Sequence, residues 1–165
     1  MAVRLTVTAL LLGAALAAAG MGLPHPAAAA DLHRLFEDRC AACHGDAGPF
    51  AQEFLADRGL TAERLGRFVL RHGGGVPPDQ APALASMLLA QAETPPLFQQ
   101  HCRICHGKAA DFTRDRLILR DGVLVNRYSG RPIAPFLRTH AELSPTDQTF
   151  FLNLLTRIEG EVHGP

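Results

Sequence analysis

The chain carries the same chemical motif twice, and this repetition constrains its fold more than any other feature. The sequence Cys-Ala-Ala-Cys-His at residues 40–44 recurs as Cys-Arg-Ile-Cys-His at residues 102–106, a shift of 62. Further along, the apolar pattern of residues 65–72 recurs at residues 133–140 with a shift of 68. Such repetition indicates a duplicated structural unit. Because the two shifts differ by six, the second copy contains an insertion between its motif and its later segment.

The duplication predicts two domains, residues 31–91 and residues 92–165. We expect both to be mainly α-helical, an all-α fold, because apolar residues in each copy recur at i, i+3, i+4 and i+7. The first cysteine of each motif should lie at or near the end of a short helix. The insertion should form a β-hairpin around an Asp121-Gly122 turn.

Proline and small polar residues mark the expected starts of three helices. Thr94 and Pro95 fit the N-cap and first-turn positions of a helix that opens the second domain. Ser144 and Pro145 fit the same positions in its last helix, and the equivalent helix of the first domain should begin at Pro77.

Residues 1–30 have the features of a secretory signal peptide. Arg4 precedes an apolar run over residues 5–19, which is shorter than the roughly 20 residues of a membrane-spanning helix. Three alanines ending at Ala30 fit a cleavage site. We therefore expect a periplasmic protein whose mature chain starts near Asp31 and has no membrane span.

The composition excludes several classes of protein. With 16 basic and 16 acidic residues and 47% hydrophobic residues, the chain is neither a polybasic nucleic-acid-binding protein nor a disordered one. Only 6% of its residues are aromatic and none is Trp, so something other than large side chains should fill the two cores.

Each Cys-x-x-Cys-His motif has the residues needed to attach a haem. Two thiols can add to the two vinyl groups of one haem, and the adjacent imidazole, His44 or His106, can then bind the iron.

The alternatives to haem attachment are a zinc site, a thioredoxin-like redox pair or disulfide bonds. A zinc ribbon would use cysteine pairs that lie closer together and needs no His after each pair. A redox pair is expected in a βαβ context, which the sequence lacks. We expect two covalent haem c groups attached through Cys40, Cys43, Cys102 and Cys105.

On these motifs the sequence resembles the c-type cytochromes, specifically a tandem of two single-haem domains. The resemblance covers nearly all of residues 31–160. It implies compact helical folds wrapped around haem, which would supply the missing core. The chain departs from the commonest family pattern because it lacks a methionine in a proline-containing loop as the distal iron ligand.

The repeat indicates histidine as the distal ligand instead. Beyond the signal peptide only Met87 remains, and its repeat partner is Leu155, so Met87 reads as a core residue. An isolated His on an apolar helix face is usually also a core residue. His72 and His140, however, hold equivalent places beside two haem motifs that each lack a distal partner. We expect two axial pairs, His44 with His72 and His106 with His140.

The other histidines and a cluster of arginines have less specific interpretations. His25 lies in the signal region, and His33, His101 and His163 are expected at the surface. Arginines in and after the predicted hairpin could pair with haem propionates, although a solvated hairpin edge explains them equally well. They are Arg120, Arg127 and Arg131, next to Tyr128.

Two strong nitrogen ligands leave no open position on the iron, which favours electron transfer over catalysis. Since methionine ligation raises haem potentials, two His/His haems should have low ones. The sequence thus predicts a one-electron carrier between redox partner proteins, with no catalytic residues and no nucleic-acid partner. The alternatives are a haem enzyme or its small subunit, of peroxidase or oxyanion reductase or dehydrogenase type, and a gas-sensing module. Either would act at the first haem, where three glycines follow His72.

Overall fold

The computed structural model describes residues 30–72 and 74–164. The predicted signal peptide, with His25, lies outside these residues. Within the described part of the chain, no helix is both long and apolar enough to cross a membrane.

The first half of the described chain is helical, as the apolar spacing predicts. Its helices are α1 (Leu32–Arg39), α2 (Ala41–His44), α3 (Ala47–Phe54), α4 (Ala62–Arg71) and α5 (Ala81–Ala92). The main helix contacts are those of α5 with α4 and α3.

The second half repeats this order and adds a two-stranded sheet. Its elements are α6 (Leu97–His101), α7 (Arg103–His106), α8 (Ala109–Arg116), β1 (Leu117–Arg120), β2 (Val123–Asn126), α9 (Ile133–Leu137) and α10 (Pro145–His163). Both bounds of α8 follow those of α3 by the shift of 62 found in the motifs. The hairpin begins directly after α8, where the sequence predicts the insertion.

The hairpin forms around the expected turn. Strands β1 and β2 are antiparallel, and Arg120 pairs with Val123 across the two-residue connection. Asp121 and Gly122 have φ angles of 51° and 76°. Positive φ at both central residues matches the twist of the adjoining strands, which is why Asp-Gly is favoured in such turns.

Two of the three predicted helix starts are wrong, for one physical reason. Helix α5 begins at Ala81 rather than Pro77, and α6 begins at Leu97 rather than Pro95. In both places a second proline follows the first, and a residue before proline is disfavoured in the helical region. The prediction for α10 is confirmed, since Ser144 Oγ accepts the Asp147 amide at 3.2 Å.

Buried apolar side chains form two clusters, one in each half. The first includes Phe36, Leu84 and Met87, and the second includes Phe151 and Leu155. Met87 and its repeat partner Leu155 are 2% and 4% exposed, which agrees with a core position for Met87.

The two halves contact each other through α1 and α10. His33 Nε2 lies 2.7 Å from Glu161 Oε2, and both residues are buried. His33 is therefore not a surface residue, because α10 covers it and supplies a carboxylate partner. His163 is also partly buried and lies 2.7 Å from an Arg127 nitrogen, whereas His101 is exposed as predicted.

Asp31 joins the start of α1 to α8. Its carboxylate accepts the Arg34 amide at 2.8 Å as the N-cap of α1, and both carboxylate oxygens also accept hydrogen bonds from Arg114. Burial would raise the pKa of Asp31, but the bonds from Arg114 and from the Arg34 amide outweigh it, so the pKa lies below its usual value. The ionised carboxylate therefore stabilises the folded chain.

We expect Asp31→Ala to lower the free energy of unfolding by about 1 to 2 kcal/mol near pH 7. Because the folded-state pKa is lowered, this contribution is complete above the ordinary Asp pKa of about 4 and disappears as pH falls through the folded value. Urea unfolding at both ends of that range measures it. Asp38→Ala, an exposed change in the same helix, should shift stability by less than about 0.5 kcal/mol. Equal stability of Asp31→Ala and the parent near pH 7 would contradict this.

Candidate haem sites

Each Cys-x-x-Cys-His motif forms a single helical turn. Cys40 is the C-cap of α1 and its carbonyl accepts the His44 amide at 3.0 Å, and Cys102 and His106 repeat this bond at 3.0 Å. The following residues, Gly45 and Gly107, have φ of 68° and 71° with ψ near −146° and −145°. This backbone region is essentially restricted to glycine. The glycine thus ends the turn directly after the histidine in both copies.

The cysteines do not have the features of a redox-active pair. All four are free, with Cys43 and Cys105 exposed and Cys40 and Cys102 partly buried. Burial raises the pKa of Cys40, and burial together with Cys105 raises that of Cys102. A thiol that exchanges disulfides has a lowered pKa. The structure therefore disfavours the thioredoxin-like alternative.

The fold brings together the two histidine pairs predicted from the repeat. The ring centroids of His44 and His72 are 5.8 Å apart, and those of His106 and His140 are 5.9 Å apart. A bond from a metal to an imidazole nitrogen is roughly 2 Å long. Two rings on opposite sides of one metal ion would have centroids about 6 Å apart by that length and the size of the ring. Both pairs fit this separation.

The second histidines reach these positions from the ends of α4 and α9. His72 is the C-cap of α4, with its amide directed to the Val69 carbonyl at 3.3 Å. His140 lies three residues beyond the end of α9, and the chain then turns through Ala141 and Glu142, whose φ angles are 59° and 52°.

Phenylalanine side chains flank both histidine pairs in the same way. Phe50 lies 4.5 Å from His44 between ring centroids, and Phe112 lies 4.5 Å from His106. On the other side, Phe68 is 4.8 Å from His72, and Phe136 is 4.5 Å from His140. Our sequence analysis missed Phe50 and Phe112, although they are separated by the same shift of 62 as the motifs.

A large, mainly apolar cavity adjoins His44 and His72 in the first half, and another adjoins His106 in the second. The first has a volume of about 720 Å³ and is lined by Cys40, His44 and His72, among others. The second, of about 970 Å³, is lined by Cys105 and His106. The walls include Phe68 and Phe136, which are 52% and 53% exposed although most phenylalanines are buried. Thiols, paired imidazoles and aromatic walls fit a large, flat, apolar metal macrocycle such as haem.

The protonation of His106 suits metal binding. Burial lowers its pKa, and the neighbouring His140 lowers it further. A lowered pKa favours the neutral imidazole, which is the form that binds metals.

The two cavities differ in the charged residues that line them. The first has four arginines, Arg58, Arg64, Arg67 and Arg71. The second has Asp111, Asp115, Arg116 and Arg131. The sequence analysis identified only Arg131 of these six arginines. The i, i+3, i+7 spacing of Arg64, Arg67 and Arg71 on α4 was the signal it missed.

Two of the three hairpin arginines suggested for propionates lie elsewhere. Arg131 lines the second cavity, but Arg120 and Arg127 do not. Arg127 instead donates to the Arg114 carbonyl at 3.0 Å and contacts His163, so it connects the hairpin to α8 and α10.

The two motif segments lie against each other across the contact between the halves. Asp46, two residues after His44, lies 2.6 Å from the Lys108 ammonium and 3.5 Å from the Arg103 guanidinium. Lys108 follows His106 by two residues, and Arg103 lies between the second pair of cysteines. The hydrogen bond to Asp46 is the main cause of a raised Lys108 pKa, so the ammonium stays charged.

Comparison with known families agrees with the first of these sites. Residues 27–87 match the family model described as cytochrome C oxidase, cbb3-type, subunit III. This match supports a c-type cytochrome. It includes Cys40, His44 and His72, covers less than half of the chain, and ends before the second motif. No curated protein and no solved structure matches the chain. A c-type cytochrome domain implies covalent haem and suggests haem-based electron transfer.

Proposed function

We propose that the chain is an exported di-haem c-type cytochrome that carries single electrons between redox partner proteins. The observation that carries this proposal is the repeated constellation of one Cys-x-x-Cys-His turn, a second histidine about 6 Å away between ring centroids, and two flanking phenylalanines. The constellation in the second half has the same residue types as the one in the first half, which lies within the family match. Each half therefore forms one haem domain in this proposal.

His44 and His72 would hold the first iron, and His106 and His140 the second. Haem, when bound, supplies a one-electron iron couple. The chain would contribute two thiols that attach each haem, two imidazoles that bind each iron, and apolar walls that limit the access of water. Because each iron would keep the same two strong ligands in both oxidation states, its surroundings would change little when it gains or loses an electron. A small rearrangement of this kind suits electron transfer. Without a methionine ligand, both potentials should be low.

Contact between the two motif segments supports electron passage within the molecule. Asp46, Arg103 and Lys108 hold the second motif against the end of the first through ion pairs of 2.6 and 3.5 Å. A carrier with two linked haems can accept an electron at one surface and release it at another. We further propose export to the periplasm with removal of residues 1–30.

Carbon monoxide binding tests whether the protein carries electrons or acts on a small ligand. Because both axial positions should be filled, we expect the reduced holoprotein to bind carbon monoxide slowly or not at all, and the ferric holoprotein to respond in the same way to cyanide. Stopped-flow absorbance in the haem region measures both reactions. Rapid binding of one equivalent would instead favour the enzyme or gas-sensor alternative. His72 is exposed whereas His140 is partly buried, so that binding would be expected at the first haem.

A further inference from the structure

We propose that the haem of the first half has the higher reduction potential, so that transfer of an electron from the second haem to the first is favourable. This inference rests on the proposed function, because it requires one haem in each cavity. It adds a direction of electron flow, which the ligand set alone does not provide.

The first cavity is lined by positive charge only. Four arginines contribute to its walls, and none of its described lining residues is Asp or Glu. Three of them, Arg64, Arg67 and Arg71, lie on one face of α4, the helix whose C-cap is His72. Arg67 pairs with the exposed Glu63 outside the wall. Among the described residues, Arg64 and Arg71 form no salt bridge.

The second cavity has no such excess. Its lining residues include two aspartates and two arginines, Asp111, Asp115, Arg116 and Arg131. Asp111 pairs with Arg114, and the same guanidinium also pairs with Asp31. With Arg114 and Asp31 included, three acidic and three basic side chains surround the second cavity, so their charges sum to zero. The first cavity keeps an excess of positive charge after Glu63 is included.

Positive charge near a haem favours its reduced form, because reduction adds one negative charge to the site. All four arginines are exposed, so solvent screens part of this effect. The predicted iron ligands do not distinguish the sites, since each pairs two histidines and each haem would carry the same propionates. The difference in lining charge therefore sets the order of the two potentials.

The resulting step is balanced within the molecule. One electron would pass from the second iron to the first, with no bond made or broken. A one-electron donor protein would supply the electron, and a one-electron acceptor protein would remove it. The ion pairs of Asp46 with Arg103 and Lys108 keep the two motif segments in contact for this transfer.

Potentiometric titration of the purified holoprotein, followed by absorbance, tests the order. We expect two one-electron steps in the parent protein. The double variant Arg64→Gln and Arg71→Gln should lower the potential of the higher step and leave the other unchanged. Asp115→Asn should raise the lower step. Arg34→Gln, on α1 and outside both cavities, should move neither, and added salt should reduce the shifts because it screens exposed charges.

Two results would overturn the inference while leaving the proposed function intact. One is a double variant that lowers the lower step, which would make the first haem the low-potential one. The other is a protein with two haems whose steps respond to neither set of variants. Intact mass under denaturing conditions separates these results from failure of the proposed function, since fewer than two covalent haems would overturn both.

Discussion

His140→Ala should convert one of the two haems, and only one, from a low-spin to a high-spin form. The His140 ring faces His106 at a centroid separation of 5.9 Å, and its removal takes away one strong-field nitrogen. The thioether bonds at Cys102 and Cys105 would keep the haem in place. Low-temperature EPR of the ferric protein should therefore show about half of the low-spin signal replaced by a high-spin signal.

The repeat supplies a matched experiment and a control. His72→Ala should produce the same conversion at the first haem, and the double variant should convert both. Met87→Leu should leave both spectra unchanged, because Met87 is only 2% exposed in the core cluster of the first half. Loss of a methionine-to-iron band in Met87→Leu, with the band retained in His72→Ala, would show that the first haem is His/Met ligated and has a higher potential.

The second large effect concerns the cysteines. The parent protein should carry two haems that remain attached under denaturing conditions, and the double variant Cys102→Ala and Cys105→Ala should carry one. The variant should also be less stable, because Phe136 on the cavity wall would keep its 53% exposure to water. Full burial of such a side chain contributes about 1.5 to 3 kcal/mol, so covering its exposed half contributes about 1 kcal/mol. Intact mass and thermal unfolding measure the two effects.

The equivalent variant of the first motif, Cys40→Ala with Cys43→Ala, serves as the matched comparison. It should lose the other haem and leave the spectrum of the second haem intact. A mass that still includes two haems in either double variant would show that its cysteines do not attach haem. A parent mass equal to the bare polypeptide would exclude covalent haem in both halves.

Local sequence was sufficient for the features that depend on neighbouring residues. The helix ends at Cys40 and Cys102, the Asp121-Gly122 hairpin and the Ser144 cap all formed as predicted, because each depends on a few residues close in the chain. The two helix starts at tandem prolines were wrong for an equally local reason, the restriction on a residue that precedes proline. Two domains, two haems and bis-histidine ligation remain predictions of the repeat.

The sequence by itself determined which residues of the two copies are equivalent, because duplication preserves spacing, and from this equivalence it predicted the two histidine pairs. Only the tertiary structure decided what surrounds them. It buried His33 against Glu161, more than a hundred residues away, and placed Asp46 beside Lys108. It also gathered arginines around one cavity and mixed charges around the other. Burial and electrostatic environment depend on which distant segments pack together, and no local pattern of residues encodes that packing.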